Sequence, residues 1–199
     1  RSDAYSFVLD DLAYVEMRTN AAKALANFNI QAKLRSSKVA LIELVEGTQA
    51  ASEYFSFDTQ KPPSGNMIAT LQKYRTSLPS TDFSSNVLPK WFTDLDLYQY
   101  ECDQEIKIYK AIGSLAKTLS TNREYSKVEK IAELFEVHKL VIAFDSTIIT
   151  LDYLKLIFTQ RFPQLRTCVV TGNTVKDNAL RSFDLGSEAE NVLGLFSDC

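Results

Sequence analysis

The chain has 199 residues, 22 Lys and Arg against 25 Asp and Glu, a net charge of −3 and 45% hydrophobic residues. This composition excludes collagen-like, mucin-like and wholly disordered chains, and the length supports a sizeable core without disulfide staples. No apolar run approaches the roughly 18 residues of a membrane span, and Arg1-Ser2-Asp3-Ala4 has no signal-peptide pattern, so no membrane partner and a cytoplasmic location are expected.

Tyr5, Val8, Leu9, Leu12 and Val15 follow the spacing of a helix face, and Ala22, Leu25 and Phe28 continue it, as a second helix or an extension. Val39 to Val45 reads as a short helix or a strand; Gly47, suited to a helix C-terminus, favours the helix. Thr48 to Phe55 reads as another short helix. Lys61-Pro-Pro-Ser-Gly65 breaks the chain, and Met67, Leu71, Tyr74 and Leu78 then step at helical spacing. Pro79 to Leu97 has no period but carries Trp91 and Phe92, which either anchor it to the core or meet a partner. A long helix follows, with Ile108, Ala111, Ile112, Leu115 and Leu119 as its expected core face. Asn122 to Tyr125 is expected to break it. Ser126-Lys-Val-Glu129 matches a capping box for a further helix through Val128, Ile131, Leu134 and Phe135.

From Lys139 the period changes. Lys139-Leu-Val-Ile-Ala-Phe144 is a continuous apolar run, as in a strand buried on both faces. Thr150 is placed to cap a helix with Leu151, Leu154, Ile157 and Phe158 on its face. Leu165 to Val170 is a second strand, Val175 to Phe183 a helix, and Asn191 to Phe196 a third strand. Such β-α-β-α-β order makes a parallel sheet. The fold class is therefore α/β: a mainly helical subdomain over residues 1–125, then a parallel α/β unit over 126–199.

Charge is even along the chain: 14 basic against 15 acidic residues in 1–125, and 8 against 10 in 126–199. Neither part has the basic surface of a free-standing nucleic-acid binder. Cys102, Cys168 and Cys199 lack pairing or metal-ligand spacing, which fits a reducing compartment and no metal site. The first residue is not Met and the last segment reads as a bare core strand, so an excised piece of a longer protein is expected.

In a parallel sheet, ligands sit beyond the carboxyl ends of the strands. Here those ends are Asp145-Ser146-Thr147, Thr171-Gly172-Asn173 and Ser197-Asp198, whose hydroxyls suit a phosphate or nucleic-acid backbone, or serve only as turn and cap residues. No GxxxxGK[ST] loop, GxGxxG or HExxH occurs. His138 is the one histidine. It follows a helix end, which suits dipole compensation better than base catalysis.

Lys139 to Cys199 resembles the second RecA-like lobe of superfamily-two helicases, most closely the Swi/Snf-type and related bacterial helicase-like ATPases. Lys139 to Phe144 with Thr150-Leu-Asp-Tyr-Leu154 looks like motif IV. Val169-Val-Thr-Gly172 with Asn178-Ala-Leu-Arg-Ser-Phe183 is similar to the next element, and Asn191 to Asp198 looks like the strand entering motif V. The helix from Ser126 to Leu134 resembles the lead-in to the lobe. The order and spacing match over about 75 residues, with the chain stopping inside motif V.

The resemblance implies a partial RecA-like, three-layer lobe with a helical appendage, from an ATP-dependent nucleic-acid helicase or translocase. It implies that Ser146, Thr171, Gly172 and Ser197 lie along a DNA or RNA backbone. Phe144, Arg181 and Asp198 would support the motifs. ATP and Mg²⁺ would be cofactors of the full-length parent. The chain itself would hold no catalytic residue and need no cofactor, because the first lobe is missing. Two alternatives stand beside this reading. One is a non-catalytic protein-interaction module, with Trp91, Phe92 and Tyr98 as contact points for a protein partner of the helical half. The other is a hydrolase similar to the haloacid dehalogenases, with Asp145 as nucleophile. Thr147 and Ile149 stand where that family has its general acid and its threonine.

Overall fold

A computed structural model describes residues 11–59, 61–80, 88–171 and 192–197. Helix α1 runs unbroken over Asp11–Ser36 where two helices were possible, and its Leu25 and Phe28 are exposed. Ser37 alone separates it from α2, Lys38–Glu46. In an extended conformation, Ser37 caps α2 by accepting from the Ala40 N–H at 3.0 Å. Gly47 ends α2 at φ 104°, a conformation open to glycine, so the helical reading of Val39 to Val45 holds.

Helix α2 is the centre of the molecule. Val39, Ala40, Leu41, Ile42 and Val45 are all buried. Around it pack α1, α3 (Thr48–Phe55), α4 (Met67–Tyr74), α6 (Leu95–Thr118) and α8 (Ile148–Arg161). The short α5, Lys90–Thr93, lies within the stretch expected to lack period, of which 81–87 fall outside the described residues.

Helix α6 turns a different face inward from the one its large residues suggest. Cys102, Ile106, Tyr109, Gly113 and Ala116 are buried and Ile112 of the expected face packs against the core, while Ile108, Ala111, Leu115 and Leu119 are exposed. The reason is close approach to α2. A Cβ at Gly113 would lie 2.5 Å from Glu46 Oε1 and 3.4 Å from Val45 Cγ1. Small residues admit the neighbouring helix, and the larger stripe is left outside.

Helix α7, Asn122–Leu134, starts at the expected break. Ser126 to Glu129 therefore lies inside a helix and caps nothing. The reason is tertiary: buried Glu124 accepts the Lys38 backbone N–H at 3.0 Å, tying the first turn of α7 to that of α2. The boundary drawn between 125 and 126 thus falls within α7. One hydrophobic cluster spans it, joining Val39, Ile42 and Val45 to Val128, Ile149, Leu151, Ile157 and Phe158.

The described strands β1 (Leu140–Asp145), β2 (Arg166–Val170) and β3 (Val192–Ser197) form one parallel sheet in the order β1-β3-β2. The molecule is thus mostly helical with a small parallel sheet. Val141, Ala143 and Val169 belong to the core or pack against it. Leu140, Ile142 and Phe144 point to the other face, and Phe144 is 67% exposed. The expected burial of β1 on both faces is not met among the described residues: α8 packs on its odd-numbered face and the even-numbered side chains alternate away from it. The expected helix over Val175 to Phe183 lies outside the described residues.

Candidate functional site

The parallel register brings the carboxyl ends of the three strands to one level. Asp145 pairs with Ser197, and Val170 with Phe196. Ser146 follows β1 as an exposed bend, Thr171 follows β2 half-buried, and Ser197 is the last residue of β3. Three of the four expected backbone contacts thus share one edge. Gly172, Arg181 and Asp198 lie outside the described residues. Phe144 is at the same end of β1, on its even-numbered face.

The junction of α1 and α2 also meets this edge, a long-range contact that no local pattern foretells. Ser36 Oγ donates to Asp145 Oδ1 at 2.7 Å, and the Thr147 N–H donates to the same oxygen at 2.8 Å. Ser36 and Ser37 both lie 2.7 Å from Thr150 Oγ1, on the first turn of α8. The carboxylate fixes the direction of this chain. Ser36 spends its one proton on Asp145, so Thr150 donates to Ser36 and Ser37 donates to Thr150. Ser37 in turn accepts from Ala40 N at 3.0 Å. Four groups from three elements form one directed, buried chain, in which each bond polarises the next.

Thr150 is therefore not the cap of α8. The helix begins at Ile148 with Thr147 in the cap position, and Thr150 is fully buried in the first turn. Asp145 Oδ1 accepts two bonds and holds the β1–α8 turn against α1.

Three cations gather at the same end. Lys33 and Arg35 lie in the last turn of α1, and Lys33 Nζ reaches Thr147 Oγ1 at 3.5 Å. Lys127 Nζ donates to Ser36 O at 2.5 Å and to Arg35 O at 3.3 Å, closing the carbonyl end of α1. Lys33 and Lys127 thus set positive charge around the Asp145 carboxylate at the strand ends, with exposed Arg35 in the adjoining turn. A signal existed in the sequence: Lys33-Leu-Arg-Ser-Ser-Lys38 holds three cations in six residues. Only the fold brings it to the sheet edge.

The fourth cation of this neighbourhood points elsewhere. Lys38 Nζ donates to Leu119 O at 3.0 Å and Thr121 Oγ1 at 2.8 Å, and lies 5.0 Å from the centre of the Phe55 ring. Burial holds its ammonium below the ordinary lysine range, while Glu124 pulls it back upward.

Trp91 and Phe92 on α5 are half-buried and meet edge to face at 5.4 Å between ring centres. With Tyr14, Arg18 and Pro89 they line a cavity of about 270 Å³ against α1. Tyr98 is also half-buried, and burial, then Cys102 beside it, raises its hydroxyl above the ordinary tyrosine range. Among the described residues no group of three His, Cys, Asp or Glu is placed to hold a metal ion, and no helix is long and apolar enough to cross a membrane. Comparison with family models, with curated proteins and with solved structures finds no match to this chain.

Proposed function

We propose that this chain contributes part of the second, RecA-like lobe of an ATP-dependent helicase or translocase, and that its sheet edge follows a DNA or RNA backbone. The observation that carries the reading is the shared edge. Ser146, Thr171 and Ser197 end three parallel strands at one level, with Lys33, Arg35 and Lys127 beside them. Hydroxyls, a helix N-terminus and cations are the groups that meet phosphate oxygens, and such contacts position a nucleic acid without reading its sequence. The order of the motif-like segments from Lys139 to Asp198 supports the same reading. The sequence holds no phosphate-binding loop. In this proposal ATP and Mg²⁺ belong to the parent's other lobe, and no hydrolytic step is assigned to residues of this chain.

The test is to read the coding sequence outward from Arg1 and Cys199. The proposal expects a phosphate loop upstream and an arginine-bearing motif downstream. A coding sequence without a phosphate loop overturns it.

A further inference from the structure

The outward stripe of α6 has the form of a self-complementary surface. Leu97, Tyr100, Ile108, Ala111, Leu115 and Leu119 lie on the side opposite the buried Ile106 and Gly113, with Ile108 58% and Leu115 66% exposed. Leu97 and Ile108 are eleven residues apart, close to three full turns, so the stripe runs straight along the helix. Glu101 and Gln104 interrupt the stripe between Tyr100 and Ile108, yet its six apolar residues on one exposed helix side mark a contact surface rather than scattered surface residues.

The charges beside the stripe say what it meets. Within α6 the acids Asp96, Glu101, Asp103 and Glu105 all precede Lys107, and the bases Lys107, Lys110 and Lys117 all follow Glu105. At about 100° per residue, Asp96, Asp103, Lys107 and Lys110 fall along one flank of the stripe, acids first and bases second. This polarity complements the helix's own dipole. It also complements its own reverse. When two such helices pack antiparallel about a two-fold axis, each flank faces the same flank of the other copy, running the opposite way. Asp103 then comes opposite Lys107 and Lys110 on this flank, while Glu101 and Glu105 on the other flank meet their own copies and oppose the pairing. A parallel copy would set Asp96 and Asp103 against Glu101 and Glu105 and leave Lys107 and Lys110 without an acid to meet. Asp103 already bridges to Arg75 at 2.8 Å, and both residues are partly exposed, so the second cation joins that bridge at the rim.

We infer that α6 is a homodimerisation surface, taking α6 of a second copy of this chain in antiparallel order. The inference is independent of the nucleic-acid reading. A single helix pair lies near the lower end of specific interface sizes, about 1,000 Å² in total, so the dimer is expected to be weak and concentration-dependent.

The test is sedimentation equilibrium of the 199-residue chain up to about 100 µM, a range suited to weak association, with circular dichroism as the control on folding. The expected result is a monomer–dimer equilibrium that Ile108→Glu with Leu115→Glu weakens at least about tenfold at unchanged helicity. Lys107→Glu with Lys110→Glu is expected to be monomeric, as is Asp96→Lys with Asp103→Lys, and an equimolar mixture of the two restores dimers. A wild-type chain that stays monomeric overturns the inference and leaves the stripe to a different partner. A dimer unaffected by Ile108→Glu with Leu115→Glu overturns it too, by assigning association to another face. Failure of the two charge variants to pair with each other overturns the antiparallel arrangement.

Discussion

Ser36 and Asp145, separated by 109 positions in the chain, share a hydrogen bond of 2.7 Å that fastens the end of α1 to the end of β1. The bond directs the proton of every hydroxyl behind it, so the network is sensitive to the loss of a single oxygen.

Thr150→Val keeps the shape of the side chain and removes that oxygen. The Ser37 hydroxyl then loses its acceptor in a buried site, which costs about 1–3 kcal/mol. For a chain of this size that corresponds to a fall in Tm of about 5 °C, read by thermal unfolding. Thr150→Ser keeps the oxygen and is expected to cost less. An unchanged melting temperature in Thr150→Val would show that the hydroxyl chain contributes nothing.

Gly113 sets two effects of similar size against each other. Gly113→Ala gains about 1 kcal/mol of helix propensity. Its Cβ also displaces the Glu46 carboxylate, which bridges to Lys117 at 2.6 Å in a partly exposed pair worth about 0–1 kcal/mol. The net change is expected to be close to zero. In a Glu46→Ala background the clash is gone, and Gly113→Ala is expected to stabilise by about 1 kcal/mol. Denaturant titrations of the four proteins of this cycle measure the difference. Additive effects would refute the coupling between residues 46 and 113.

The alkaline limb of stability follows from buried acids. Burial raises the thiols of Cys102 and Cys168 and the hydroxyls of Tyr98, Tyr109 and Tyr153 above their ordinary ranges. Above about pH 9 the unfolded chain therefore releases protons that the folded chain retains, and stability falls as pH rises. Lys38 acts the other way. Its folded value is lowered by burial, so between that value and 10.5 the unfolded chain holds the extra proton and stability rises with pH. Wild type is expected to lose stability from about pH 9 upward, and Lys38→Met to lose it more steeply. Chemical unfolding at a series of pH values reads both slopes. A Lys38→Met slope equal to or shallower than wild type would reject the assignment.

If the sheet edge follows a nucleic-acid backbone as proposed, Lys33→Glu with Arg35→Glu weakens binding of a nucleic-acid strand by at least about tenfold and lowers the salt dependence of that binding. Arg35 is exposed and Lys33 partly so, which leaves the core intact. Fluorescence anisotropy with a labelled strand at several salt concentrations measures both. Binding that ignores these changes would remove this edge from the interface.

The elements with strong local signals were legible in the sequence. The Val39 to Val45 run with Gly47 behind it, and Thr48 to Phe55, became α2 and α3 where expected. The face of α6 was not. Hydrophobic spacing weighs Ile108 and Leu115 above Gly113 and Ala116, yet here the smaller pair admits α2. The shared edge of the parallel strands followed from topology rules, and Ser146, Thr171 and Ser197 do fall there. The arrival of Ser36, Ser37 and three cations at that edge depends on contacts about a hundred residues apart, which no local period encodes.

The burial of α2 has a consequence during synthesis. Its apolar surface is complete by Glu46, but part of its cover, α8, extends to Arg161. At ordinary elongation rates of about 5–20 residues per second, α2 leaves the ribosome on the order of ten seconds before that cover exists. For that interval the side of α2 that α8 will cover stays open on the nascent chain, even with α1, α3, α4 and α6 already made, so expression yield is expected to respond to translation speed and chaperone supply.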